Sequence, residues 1–233
     1  MKKKLVVLTG AGMSAESGIS TFRDSDGLWE NYRVEDVATP EGFARNPELV
    51  LDFYNQRRRE LLKTEPNEGH KGLALLEKDF DVRIITQNVD NLHERAGSTH
   101  VIHLHGELMK SCSVKDKETA FPIDPAHPDI HVGDKAPDGS QLRPFIVWFS
   151  EAVPMIEPAI QEVEGCDIFV IIGTSLNVYP AAGLLNYVRL GQPIYLIDPK
   201  EVKVYRNDIT FLKCGASEGV KRLTEILQKQ IIR

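Results

Sequence analysis

The stretch 5–23, LVVLTGAGMSAESGISTFR, constrains the fold more than any other part of the chain. The apolar run Leu5-Val6-Val7-Leu8 reads as a strand and ends in Thr9-Gly10-Ala11-Gly12. A helix-like segment is expected to follow from near Met13. Strand, glycine turn and helix together have the form of a nucleotide phosphate site. Gly10 allows a tight turn, Gly12 lets backbone approach a pyrophosphate, and Ala15 takes the small-residue place in G-x-G-x-x-G/A. On these residues alone, a bound dinucleotide and a plain glycine turn closing a strand–helix unit stand level.

Further along, Asn46-Pro47-Glu48 starts a helix over about 47–62, with a capping residue, proline in the first turn and then an acid. Val50, Phe53, Tyr54, Arg57 and Leu61 fall on one face of it. A short helix start lies at Thr39-Pro40, and a second helix is expected over 70–78. Strands are expected at 82–86, 101–106, 167–172 and 193–197, and regular pattern also at 145–149. Helices are expected over 154–164, 180–190 and 218–230. The stretches 24–39 and 111–141 read as irregular. Apolar runs alternating with helices predict an α/β fold, a doubly wound parallel sheet covered on both faces. The informative residues then fall after strands: Gly10, Thr86 to Asp90, His105, Trp148 to Glu151, Gly173 to Ser175, and Asp198. These are the ends at which open parallel sheets bind ligands.

Bulk properties narrow the function. The chain has 233 residues, 42% of them apolar, enough for one large domain or a domain with a sizeable insertion. A net charge of −6 gives no electrostatic case for nucleic acid. The apolar run behind Met1-Lys2-Lys3-Lys4 is too short for a signal peptide core or a membrane span, so no membrane partner and a cytoplasmic location are expected. Cys112, Cys166 and Cys214 are widely spaced and make no disulfide framework. A hydride-transferring dehydrogenase is disfavoured, because the acid expected about 20 residues after the glycines is missing. Asp198 is the better candidate for a ribose hydroxyl, with a turn-forming Asp-Pro pair as the equal alternative.

The motifs GAGMSAESGISTFR, GLW, TQNVDNLHERAG, HLHGEL, VWFSE and GTSLNVYPAAG occur in this order. They resemble the sirtuin family of NAD-dependent protein lysine deacylases. The resemblance implies a Rossmann-like large domain from 1–30, 72–108 and 141–233, and a small domain from the insertions 31–71 and 109–140. It places NAD, as co-substrate, against Gly10, Ala11, Gly12, Ser14 and Ala15 at the pyrophosphate. Phe22, Arg23 and Trp29 belong to its cofactor-binding loop, and Gln87, Asn88 and Asp90 to the nicotinamide–ribose pocket. Gly173, Thr174 and Ser175 bind the adenosine ribose, where Asp198 stands for the usual asparagine, and Ala216 contacts adenine. Asn88 acts beside His105, the implied catalytic base that takes a proton from a ribose hydroxyl. An imidazole of ordinary pKa near 6.5 suits that task; His93 and His103 are its rivals. Val147, Trp148 and Phe149 edge the groove where an acyl-lysine protein or peptide adds as a strand. Ser150 stands where the family usually has glycine. The alternatives are a mono-ADP-ribosyltransferase and a non-catalytic NAD-sensing module. A monomer is expected.

Two departures sharpen the expectation. Tyr54 and Arg57 share a helix face, and Arg57 sits in an apolar stripe where a charge is costly unless paired. An arginine fork beside a tyrosine hydroxyl fits a terminal carboxylate. The stretch DVATPEGFARNPELVLDFYNQRRREL resembles the branch that removes succinyl, malonyl and glutaryl groups, with Ala38 leaving room for them. The family's zinc is the second departure. Of its four cysteines only Cys112 remains, the others aligning with Lys115, Lys135 and Asp138, so no metal is expected. A Lys–Asp pair is the expected replacement for one tether.

Overall fold

The computed structural model describes residues 2–20, 28–29 and 32–231, with backbone alone at 28, 29, 230 and 231. Phe22 and Arg23 lie outside the described residues, and of Trp29 only the backbone is described. In chain order the elements are β1 (Lys4–Thr9), α1 (Ala11–Ser14), β2 (Leu28–Trp29), β3 (Tyr32–Arg33), α2 (Val34–Val37), α3 (Pro40–Arg45), α4 (Pro47–Leu61) and α5 (Glu68–Leu76). There follow β4 (Asp81–Thr86), α6 (Leu92–Arg95), β5 (Val101–His103), β6 (Gly106–Ser113), β7 (Phe121–Pro122), β8 (Leu142–Ile146) and α7 (Ile156–Glu164). The chain closes with β9 (Ile168–Ile172), a 3-10 segment (Ala181–Tyr187), β10 (Ile194–Ile197), β11 (Ile209–Leu212) and α8 (Ala216–Ile231).

Six strands form one parallel sheet in the order β11-β10-β9-β1-β4-β5. The chain builds outward from β1 through β4 to β5, then returns to the other side of β1 with β9. The order therefore reverses between β1 and β9, and in a sheet of this topology the ligand crevice lies at that reversal. Strand alternation explains the two covered faces. Leu5 and Val7 of β1 join a core with Leu73 and Leu76 of α5 and Val220, Leu223 and Leu227 of α8. Val6 and Leu8 point the other way, against Ala159 and Val163 of α7 and Ala181 and Leu184 of the 3-10 segment. Each buried aliphatic side chain of this kind stabilises the fold by about 1.5–3 kcal/mol.

The second sheet is antiparallel, β7-β6-β8. Its core joins α2 and α4 through Val37, Val50, Phe53, Tyr54, Leu61, Leu108, Ile146 and Trp148. The Asn46 side chain caps α4 at Leu49 N–H, and Asn67 and His70 make a capping box on α5. Both helices begin where asparagine can satisfy the first backbone donors.

Several expectations need correction. The segment after Gly12 is one short helical turn and a 3-10 turn over 15–17, stopped by Gly18 at φ 90°. Regular pattern expected at 145–149 is strand only to Ile146. The helix expected over 180–190 is a 3-10 segment, as the short run after Pro180 favours. Strand β6 runs on to Ser113, and β11, whose burial pattern is weak, carried no periodicity that could reveal it.

Candidate active site

A cavity of about 350 Å³ opens at the carboxyl ends of β1, β4 and β9 and reaches the small-sheet core. Gly10, Ala11, Ser14, Gln87, Asn88, Asp90, His105, Gly173, Thr174 and Ser175 line its sheet side. Ala38, Tyr54, Arg57, Val147, Trp148 and Phe149 line the other. The sequence-predicted residues of both kinds thus converge on one space.

The glycines are tightest against each other. A Cβ on Gly12 would lie 2.6 Å from Gly173 Cα, and one on Gly10 2.8 Å from Gly173 O. Gly12 N–H donates to Gly173 O at 2.9 Å, and Gly10 N–H to Ile172 O at 3.0 Å. Close approach of the β9 loop at Gly173 requires a residue without a side chain at Gly12. Ala15 does not line the cavity. Asp198 and Ala216 are buried outside it, and Asp198 Oδ1 accepts from Lys200 N–H at 2.9 Å, so the turn alternative is realised in at least one oxygen.

At the floor, Asn88 Nδ2 donates to Gly10 O at 3.1 Å and Ser14 Oγ at 3.0 Å. Ser14 Oγ donates to Asp90 Oδ2 at 2.9 Å, and Leu92 N–H to Asp90 Oδ1 at 3.1 Å. Burial pushes the Asp90 carboxyl up from its ordinary value, against the pull of these two donors. Two carboxylate oxygens offer about four acceptor directions, so capacity remains for an amide or hydroxyl of a ligand. Gln87 Nε2 donates to Thr174 Oγ1 at 3.0 Å, which ties the β4 loop to the β9 loop.

The histidines separate by their partners. His105 Nδ1 donates to Gln87 O at 2.9 Å, which assigns the proton to Nδ1 and the lone pair to Nε2. Burial holds His105 below the ordinary histidine value, with the Gln87 carbonyl opposing. It is therefore neutral and basic near neutral pH. His93 is fully buried, 3.1 Å from Thr9 Oγ1, and burial pushes it well below the ordinary value. His103 is bonded on both ring nitrogens, to Asn88 O and Glu94. Neither rival lines the cavity.

On the other side, Trp148 Nε1 donates to the Tyr54 hydroxyl at 3.0 Å, and burial raises the Tyr54 phenol far above its ordinary value. Arg57 is 8% exposed, lies 3.5 Å over the Phe53 ring and donates to Phe53 O at 3.0 Å. Arg143 is stacked 3.5 Å from the Trp148 ring and pairs with Glu151 at 2.8 Å, which fixes the groove edge. Ser150 is exposed at φ 69°, the left-handed region where glycine is at ease.

Sequence reasoning missed Arg58, which the run Arg57-Arg58-Arg59 presents as a surface charge. It is fully buried and donates to Leu108 O, Asn55 Oδ1 and Pro128 O. Asn55 also exchanges two bonds with the Ile130 backbone. Around the zinc positions, Ser113 Oγ donates to Asp138 Oδ2 at 2.6 Å and accepts from Lys115 and Asp116 N–H. Serine, rather than the expected lysine, is the partner of Asp138. Burial pushes the Cys112 thiol up to about 11.

Residues 10–180 match the Sir2 family. The chain belongs to the Sir2 family. An NAD-dependent protein deacylase of Bacteroides thetaiotaomicron is 63% identical over 97% of this chain and 98% of its own. One from Helicobacter pylori is 56% identical over 98% of each chain. A solved Sir2 homologue–NAD complex superposes with a TM-score of 0.87 at 41% identity, covering 98% of this chain and 91% of that one. A Sir2 protein bound to acetylated peptide gives 0.80 at 30% identity, covering 97% and 93%. The polar floor and the glycine-lined crevice of this chain fit the dinucleotide. No helix among the described residues is long and apolar enough to cross a membrane.

Proposed function

We propose that this NAD-dependent protein deacylase acts preferentially on lysines whose acyl group ends in a carboxylate, succinyl and malonyl above acetyl. The observation that carries the reading is Arg57, a guanidinium 8% exposed that lines the cavity beside Tyr54, with Ala38, Leu61, Leu108 and Ile146 among the other lining residues. A buried cation favours an anionic partner, and a planar fork matches a carboxylate in two bonds. Ala38, 3% exposed, gives the wall a small side chain where a longer acyl chain needs space.

The remaining roles follow from chemistry and position. NAD, when bound, supplies an electrophilic ribose carbon and accepts the acyl group. Gly10, Ala11, Ser14, Gln87, Gly173, Thr174 and Ser175 bind it, with Asp198 and Ala216 assigned to its adenosine end and Phe22, Arg23 and Trp29 to the loop beside it. Asn88 and Asp90, locked through Ser14, orient the reacting end. His105 Nε2 takes the hydroxyl proton. Val147 to Phe149 align the substrate backbone, and the chain works as a monomer in the cytoplasm.

A nicotinamide-release assay with succinyl-, acetyl- and unmodified peptides tests this. Release that requires acyl-lysine and is faster with succinyl-lysine supports it. Label from NAD remaining on protein would favour an ADP-ribosyltransferase, and NAD binding without turnover a sensor.

A further inference from the structure

Two histidines, one ending β5 and one in the turn that follows it, grip consecutive carbonyls of the loop after β4. His105 Nδ1 meets Gln87 O at 2.9 Å, and His103 Nδ1 meets Asn88 O at 3.2 Å. The second ring nitrogen distinguishes them. His103 Nε2 lies 2.7 Å from Glu94 Oε1, and both partners of His103 are acceptors. A neutral imidazole carries one N–H and satisfies only one of them, whereas the imidazolium satisfies both. The His103 side chain is 7% exposed and the Glu94 side chain 39%, so the ring is enclosed while the carboxylate reaches the surface.

We propose that His103 is a positioning residue: as an imidazolium clamped between the Asn88 carbonyl and the Glu94 carboxylate, it holds residues 87–90 in the arrangement that receives the nicotinamide end of NAD. This rests on the assignment of Gln87, Asn88 and Asp90 to that end. Loss of the proton breaks one of the two bonds and weakens the hold on the loop that also carries the His105 acceptor, while Asn88 and Asp90 stay tied to Gly10, Ser14 and Leu92. Around His103 stand Glu94 from α6, Glu107 from β6 with its partner Lys110, Asp90, and the neutral His93. Burial opposes the charge, and Glu94 followed by Glu107 outweighs burial, so the net direction is upward. The clamp is then intact below the raised value and released as pH rises through it.

His103→Gln and Glu94→Gln test this by three readouts: kcat and KM for NAD from about pH 6 to about pH 10, calorimetric Kd for NAD, and ¹⁵N NMR of the imidazoles in the free protein. Both His103 ring nitrogens are expected to be protonated at pH 7. His103→Gln is expected to raise Kd and KM for NAD about tenfold, with kcat within about threefold, and to abolish the alkaline limb of kcat/KM. Glu94→Gln is expected to move that limb to lower pH by about one unit. A neutral His103 at pH 7, or variant profiles that differ from wild type only by a constant factor, would overturn the clamp. If the wild type releases no nicotinamide from acyl peptides, the deacylase reading fails instead. The NMR signal and Kd values still decide the clamp.

Discussion

His105 and Gln87 are joined by a single bond: the imidazole Nδ1–H donates to the carbonyl oxygen at 2.9 Å. That bond sets the tautomer and leaves Nε2 as the proton acceptor in the cavity. Replacing His105 by Asn is expected to lower kcat by about 10²–10⁴-fold, the usual contribution of a general base, with NAD Kd changed only slightly. The base must be neutral, and burial lowers its pKa. The acid limb of kcat/KM is therefore expected below the ordinary histidine value of about 6.5. A limb above that value would place the proton transfer on another group.

The contact of Gly12 with Gly173 gives a structural prediction. A methyl group at Gly12 meets backbone at 2.6 Å, which no rotamer relieves. Gly12→Ala is expected to cost about 1–3 kcal/mol, read as a lower Tm, and to weaken NAD binding by displacing Gly10 and Ser14. An unchanged Tm would show that the two loops separate easily.

Glu151 links the groove edge to the small sheet. Burial opposes its charge, but Arg143, Lys117 and the Trp148 N–H more than compensate and hold its pKa at about 2. Because the folded value is depressed, the stabilisation is complete above the unfolded value near 4.5 and is lost as pH falls from there toward about 2. Glu151→Gln is expected to cost about 2 kcal/mol at pH 7, a Tm fall of about 4–8 °C, and less at pH 3. Equal losses at both pH values would contradict the charge argument.

The serine–aspartate tether replaces a metal in the account of the small domain. Ser113→Ala is expected to lower stability by about 1–2 kcal/mol, and a chelator to leave Tm unchanged. One zinc per chain in elemental analysis would refute this.

Much of this was legible beforehand because periodicity reports burial. The continuous apolar run Leu5 to Leu8 and the stripe from Val50 to Leu61 are both buried, as a strand covered on both faces and a one-sided helix imply. His105 stood out by its place before the Gly106 turn. What stayed hidden depends on contacts distant in sequence. Arg58 is core only because Leu108, Asn55 and Pro128 supply acceptors. Gly12 packs on a residue more than half the chain away, and Glu94 meets His103 across a helix end. No local pattern distinguishes a buried paired charge from a solvated one.

The central claim is the carboxylate preference, and Arg57 tests it most directly. The measurement is kcat/KM for succinyl-lysine and acetyl-lysine versions of one peptide, in wild type and in Arg57→Met. The expected result is a loss of about 100-fold or more with the succinyl peptide, with deacetylation kept within about threefold. Equal loss on both peptides, or no loss on either, would contradict the assignment.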